Sequence, residues 1–321
     1  MVQLGQHAPA IHTIAHFSDP HLLEGGRPLY GAVDSEPTLA RALEQLERSG
    51  LAPEAIVFTG DLADLGEVDA YRRLRAIVEP VAERLGAEII WVMGNHDERE
   101  PFAAELLGAA AEGDGAGGVR PLDRVHRLGG LRIIALDSTV PGYHHGSLEP
   151  AQLDWLRAEL AEPAPDGTLL ALHHPPLPSL VELMAVLELE HQGELAAAIE
   201  GSDVRGILAG HLHYATHGTL AGTPVSVAAA TCYSIDPAAP QGTLVGVDGG
   251  HSVGIVEVYA DTVVHSIVPV GSFPRVSGFS ERVLDMLAAM SPEERREAFS
   301  NKRSTYDLAA RDASVDAGTP D

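Results

Sequence analysis

Five apolar runs in this chain end in the same kind of residue. Residues 11–17 lead into Ser18-Asp19-Pro20-His21, 55–59 into Gly60-Asp61, and 88–93 into Gly94-Asn95-His96-Asp97. Residues 168–172 lead into His173-His174-Pro175-Pro176, and 204–209 into Gly210-His211-Leu212-His213. Short apolar runs bounded by Gly, Pro and polar residues read as buried strands. In open α/β sheets a site forms beyond the carboxyl ends of such strands. A single turn aspartate or strand-end histidine would mean little. Five strand ends that each carry a carboxylate, amide or imidazole require a fold that gathers them at one edge.

The segments between the runs support such a fold. Residues 34–49, 67–85 and 150–160 have helical periodicity, with Gly50 and Gly86 as stop signals after the first two. The intervals from 21 to 61, 61 to 95, 95 to 173 and 173 to 211 each leave room for a crossover of roughly a dozen residues or more. Residues 125–128 and 131–137 flank Gly129-Gly130 and predict a hairpin. Further strand pairs are expected at 219–220 with 224–229 and at 254–259 with 262–268. Strand and helix alternate early, and hairpins follow late. That order predicts two sheets packed face to face with helices outside. Residues 113–118 read as a surface loop, and residues 180–189 as a buried helix. Beyond residue 270 the chain changes character. Residues 280–290 are amphipathic, and Ser291-Pro292-Glu293-Glu294 has the form of a capping box that starts a short helix. The last residues, from about Ser304, read as disordered.

Seven donors converge in this scheme: Asp19, His21, Asp61, Asn95, His173, His211 and His213. Asp19/His21 and His211/His213 are each two residues apart, which in an extended segment places both side chains on one side. One metal takes about four to six ligands, so seven donors point to two metals sharing a carboxylate. Asp61, central among them in sequence, is the expected bridge. Imidazole, carboxylate and amide without thiolate suit Fe, Mn, Zn, Co or Ni. Two divalent ions against two aspartates leave about +2, one more if an ion is trivalent and one less with a bound hydroxide. Such a cationic hole suits a phosphate ester.

Composition narrows the classes further. Lys and Arg number 21 against 46 Asp and Glu, a formal net charge of −25. That balance argues against nucleic-acid polymers and anionic membranes as partners. The one cysteine, Cys232, excludes an intrachain disulfide. Residues 1–17 lack the basic and apolar regions of a signal peptide, and no run approaches the ~18 apolar residues of a membrane span. A cytoplasmic location is the expectation.

The ordered set D-x-H, G-D, G-N-H-D, H-H-P and G-H-x-H resembles the signature of calcineurin-like metallophosphoesterases. It spans residues 11–270, most of the chain. Residues 29–33, 56–64, 91–97, 172–176, 207–214 and 225–233 are similar to class III cyclic nucleotide phosphodiesterases. The resemblance implies a four-layer αββα sandwich of two mixed β-sheets flanked by helices. Residues 1–270 would form the catalytic domain and 271–321 a C-terminal extension. It implies two metal ions, iron with manganese or zinc, a homodimer, and hydrolysis of cyclic nucleotides. The expected products include 5′-AMP from 3′,5′-cyclic AMP, with 2′,3′-cyclic nucleotides as further substrates. The attacking group would be a hydroxide bridging the two metals. His96 would act on the phosphate or leaving oxygen, Asp97 would orient it, and Asn95, His96 and His213 would touch substrate. The family's H-x-P block favours His173 over His174 as ligand. Pro20 departs from the usual threonine and removes an amide donor. Glycerophosphodiesters or a broader range of diesters are the alternative substrates, and a metal-binding scaffold without catalysis is the alternative of another class. The loop Tyr143-His144-His145 reads either as a nucleoside contact or as a polar surface loop.

Overall fold

The apolar runs become strands within a residue or two of the bounds read from sequence. The computed structural model describes residues 3–113, 115 and 118–304. The first half of the body runs β1 (His12–Phe17), α1 (Ser35–Arg48), β2 (Ala55–Thr59), α2 (Val68–Leu85), β3 (Glu88–Val92), α3 (Arg99–Leu106), β4 (Arg124–Leu128) and β5 (Leu131–Leu136). It continues with α4 (Pro150–Leu160), β6 (Thr168–Leu172), α5 (Gln192–Ile199), β7 (Val204–Ala209), β8 (Thr216–Leu220) and β9 (Thr223–Val227). A small ribbon, β10 (Ser234–Ile235) with β11 (Gly246–Val247), precedes β12 (Ser252–Val258) and β13 (Val263–Pro269).

The strands form a five-stranded sheet in the order β13-β12-β1-β2-β3 and a six-stranded sheet in the order β4-β5-β6-β7-β9-β8. In the first, β1, β2 and β3 are parallel while β12 and β13 run antiparallel to their neighbours. In the second, β5, β6, β7 and β9 are parallel and both edges, β4 and β8, are antiparallel. Both sheets are mixed. The central strands β2 and β6 are buried along their whole length, as parallel strands covered on both faces must be.

Three apolar clusters define the layers. Ile14, Val57 and Ile90 of the first sheet pack on Ile133, Leu169 and Leu208 of the second. Leu39 and Leu43 of α1 and Leu74 and Val78 of α2 cover the outer face of the first sheet against Phe17, Phe58 and Trp91. Leu153 and Leu156 of α4 and Leu195 and Ile199 of α5 cover the second sheet. The result is helix, sheet, sheet, helix. Each of these side chains adds about 1.5–3 kcal/mol on burial, which fixes the sheets and with them the strand ends.

At the opposite end of the strands, the His12 imidazole ties the sheets together. Its Nδ1 lies 3.0 Å from Glu54 Oε2, just before β2, and its Nε2 lies 3.0 Å from Asp166 Oδ2, before β6.

Two local expectations change. Residues 180–189 do not form a buried helix. A 3-10 segment spans Glu182–Leu187, where Met184 is buried but Leu183 and Val186 stand in solvent. Two short helices, α3 and α5, stand where no helix was read. The chain divides into two compact units, Ala10–Gly271 and the segments Met1–Pro9 with Ser272–Asp321.

Within the second unit, α6 (Glu281–Ala288) buries Val283 and Leu287. α7 (Pro292–Arg295) starts as its capping box requires: Glu294 N donates to Ser291 Oγ, and Ser291 N to Glu294 Oε2. The expected disorder beyond Ser304 falls on residues outside those described, and the 113–118 loop lies partly outside them. No helix among the described residues is long and apolar enough to cross a membrane.

Candidate metal centre

The strand ends meet through an unusual backbone. Asp19, His21, Asp61, His211 and His213 all have positive φ, at 51°, 44°, 50°, 70° and 58°. Non-glycine residues seldom adopt this region, and its concentration in one place marks a functional segment. The paired donors therefore do not share a side through strand pleating, as the two-residue spacing suggested. The chain has already left the strands, and left-handed residues coil it so that both side chains of each pair turn inward. Cross-connecting amides hold the coil: Asp19 N donates to Gly60 O (3.1 Å) and His21 N to Asp61 O (2.9 Å). These two bonds flank Pro20, so the missing amide there removes neither. The loops touch closely. A Cβ on Gly94 would collide with the Asp61 backbone nitrogen, and one on Gly210 with Ser18 Oγ.

All seven predicted donors come together, in two lobes that share one atom. His21 Nε2 lies 3.1 Å from His213 Nε2, and His213 Nε2 lies 3.5 Å from Asp19 Oδ1. On the other side, His173 Nε2 lies 3.1 Å from Asn95 Oδ1 and 3.2 Å from His211 Nδ1. Asp61 Oδ2 stands between the lobes, 3.3 Å from His21 Nε2 and 3.3 Å from His173 Nε2. Three of the four histidines anchor their other ring nitrogen away from the centre. His173 Nδ1 donates to Thr59 O (2.7 Å), His213 Nδ1 to Tyr233 O (3.0 Å), and His21 Nδ1 lies 3.0 Å from Asp64 Oδ1. Each anchor holds the ring so that Nε2 is the nitrogen facing inward.

Burial and charge set the proton state. Burial together with neighbouring imidazoles holds His211 and His213 well below the usual histidine range, so both are neutral. Asp61 goes the other way. Burial would raise it, but His173 and His21 hold its carboxyl well below the ordinary value. Against burial, the same carboxylate pushes His173 up to about 9, and Cys232 followed by Asp61 and Asp64 raises His21. Burial pushes Asp19 up to about 6.

The calcineurin-like phosphoesterase family matches residues 12–215. A cAMP/cGMP dual specificity phosphodiesterase of Mycobacterium tuberculosis is 52% identical over 278 residues, 87% of this chain and 86% of its own length. A 3′,5′-cyclic adenosine monophosphate phosphodiesterase of Pseudomonas aeruginosa is 30% identical over 233 residues, 72% of this chain and 80% of its own. Among solved structures, a dimetal phosphatase from Danio rerio superposes with a TM-score of 0.57 at 16% identity, covering 82% of this chain and 98% of that one. The chain belongs to the calcineurin-like metallophosphoesterase family. The four-layer sandwich of the body is that family's fold.

The residues fit the two-metal centre of a metallophosphoesterase. Asp19, His21, Asp61 and His213 offer ligand atoms that all lie within 4.8 Å of one another. His211 Nε2 is buried with no hydrogen-bond partner, an arrangement that is costly unless something else satisfies it. Neutral His211 and His213 and an ionised Asp61 are the states metal ligation needs, while His173 and His21 would each release a proton on binding a metal.

Around this set, one expected role changes hands. Asp97 does not touch the His96 ring. Its carboxylate accepts from the backbone N–H groups of Leu62 (3.1 Å), Ala63 (3.1 Å) and Gly94 (2.9 Å) and from Tyr71 Oη (3.0 Å). It stitches two donor loops together and is fully occupied doing so. Asp64 takes the orienting place instead. Its carbonyl oxygen lies 2.9 Å and its Oδ1 3.4 Å from His96 Nδ1, while Oδ1 also holds His21. The G-D-L-A-D spacing that puts Asp64 three residues after Asp61 was the available signal. His96 Nε2 makes no hydrogen bond among the described residues, and burial lowers the pKa of the ring.

Two further histidines complete the rim. His144 Nδ1 lies 2.9 Å from Asn95 Nδ2, and its ring is 5.0 Å from that of His96, so the 143–145 loop does reach the site. His174 is buried behind the donors between Ser138 Oγ and the His144 carbonyl.

Proposed function

We propose that this protein is a metal-dependent phosphodiesterase that opens 3′,5′-cyclic nucleotides, turning cyclic AMP into 5′-AMP, and that it accepts 2′,3′-cyclic nucleotides as well. The body, Ala10–Gly271, would be the catalytic part, and the segment beyond it an extension. The observation that carries this reading is the single oxygen, Asp61 Oδ2, placed 3.3 Å from an imidazole nitrogen of each lobe. One cation would be held by Asp19, His21, Asp61 and His213, the other by Asp61, Asn95, His173 and His211. Iron with manganese or zinc suits such a set. When bound, the pair would acidify water and neutralise charge on the phosphoryl oxygens. The substrates of the two related phosphodiesterases support a cyclic nucleotide as the diester.

The chain's own groups have definite tasks in this reaction. Water oxygen bonds to phosphorus and gives up a proton to solvent, the P–O3′ bond breaks, and O3′ takes up a proton. His96 would give it from Nε2 in the doubly protonated form of its ring, which burial disfavours and the Asp61 charge favours. Its Nδ1 is held by Asp64, its backbone N–H donates to Asp61 Oδ1 at 2.8 Å, and its Nε2 is left free. Asn95 and His213 flank the space where the phosphate would lie. Asp61 keeps its charge throughout.

The test is a panel of 3′,5′-cyclic AMP, 3′,5′-cyclic GMP, 2′,3′-cyclic AMP and a glycerol phosphodiester at fixed metal. Preference for the cyclic substrates is expected. A strong preference for the glycerol diester overturns the substrate assignment, and no turnover of any diester overturns the activity.

A further inference from the structure

One large ring beside the site stands in solvent on a backbone that disfavours it. Tyr30 is 71% exposed and has a φ of 54°. Bulky residues avoid that region unless the surrounding structure imposes it. Here the loop does impose it. Leu29 N donates to Val33 O (2.8 Å), Val33 N to Leu29 O (3.0 Å) and Gly31 N to Pro28 O (3.0 Å). Leu29 is buried beneath the loop with Leu23, Ala230 and Cys232. The loop is closed by its own hydrogen bonds and pinned by one leucine, and it lifts the next side chain out of the protein.

That side chain is the outer member of a chain of rings leading to the donor set. Tyr30 meets Tyr233 edge-on with ring centroids 5.7 Å apart and hydroxyls 3.5 Å apart. Tyr233 packs against His213 at 4.5 Å. Tyr233 has little room for anything more. Its carbonyl anchors His213, and a Cβ on Gly246 of β11 would come within 3.0 Å of its ring. Tyr30 is the most exposed of the three, Tyr233 being half-buried and His213 buried.

We propose that Tyr30 is the platform on which the substrate's purine base stacks while its phosphate lies at Asp61. The assignment rests on the cyclic-nucleotide reading above and adds a base subsite to it. Stacking needs only a π-face, so such a platform would favour a nucleotide over a diester without a ring and would treat adenine and guanine alike. Removing the ring typically weakens binding of a base by roughly tenfold or more.

The experiment measures binding of 5′-AMP and of ribose 5-phosphate to the metal-loaded, full-length protein and to its Tyr30→Ala and Tyr30→Trp variants. Tyr30→Ala is expected to weaken 5′-AMP about tenfold and ribose 5-phosphate less than about twofold, with Tyr30→Trp restoring the nucleotide. In turnover, KM for cyclic AMP should rise by a similar factor and by more than kcat changes. Equal affinity of wild type and Tyr30→Ala for 5′-AMP overturns the platform. Equal weakening of both ligands also overturns it, since the loop would then act on the phosphate end. So does a Tyr30→Ala variant that changes the molar mass in solution but leaves 5′-AMP binding alone, because the ring would then be a contact between copies. The two readings fail separately. Tyr30-dependent nucleotide binding without cyclic-nucleotide turnover keeps the platform and removes the activity. Turnover with a KM indifferent to Tyr30 does the reverse.

Discussion

His96→Ala removes a proton donor from a site whose other parts stay in place. General acid–base groups contribute about 10²–10⁴ in rate. Turnover of cyclic AMP by this variant should fall by that range, while metal content, read by elemental analysis, stays at the wild-type level. Full activity on a diester with a poor leaving group would remove His96 from the mechanism. Asp64→Asn is expected to act one step further out. Its carboxylate orients both His21 and His96, and losing such an outer partner typically costs about 10–100-fold in metal affinity or activity. A variant with unchanged kcat and unchanged metal affinity would show that Asp64 only fills space. Asp64 is also where reading the sequence fell short. Asp97 follows His96 directly and so looked like its partner, but three backbone amides and a tyrosine hydroxyl take all its capacity. Sequence adjacency says nothing about which way a carboxylate turns in a left-handed loop. The positive φ values at five donors were equally hidden, because Asp and His carry no glycine-like signal for them.

At the scale of elements, the strands were legible and two short helices, α3 and α5, were not. β2, β6 and β7 match their expected bounds residue for residue, because the buried stretch of each, all of β2 and β6 and Gly206–Ala209 of β7, is mostly apolar. α3 and α5 have eight residues each and no clear stripe, and tertiary packing of Phe102, Leu195 and Ile199 decides them. Residues 180–189 misled for the opposite reason: their apolar content suggested burial, yet Leu180, Leu183 and Val186 face solvent. The His12 tie yields a pH prediction at this scale. Burial lowers its pKa, but Glu54 and Asp166 more than offset this, and the folded value lies above the ordinary histidine value of 6.5. A raised histidine pKa stabilises the fold fully below the unfolded value, and that contribution is lost as pH rises through the folded one. Thermal midpoints of wild type and His12→Gln should therefore differ more at pH 6 than at pH 9. A gap that widens with pH would contradict the charged tie between the sheets.

For the whole molecule, the order of strands and helices was enough to place two sheets face to face, since each crossover must return the chain to the same edge. How the sheets align was not legible; it depends on side chains such as Ile14, Ile133 and Leu208 meeting between them. The formal charge of −25 surrounds a centre built to attract an anion, so the site must overcome the field of its own protein locally. Assembly is a separate matter. We expect a homodimer, and light scattering should give twice the 33.8 kDa of the chain. A mass of one chain at all concentrations would contradict it.

The central claim is that Asp61 joins two groups of donors around a pair of cations on which hydrolysis depends. It is tested most directly by elemental analysis of the purified protein alongside its rate on cyclic AMP, before chelation, after chelation and after metal is returned. The account predicts two ions per chain, loss of nearly all activity when they are removed, and recovery when they are restored. A stripped protein that cleaves cyclic AMP as fast as the loaded one would contradict it.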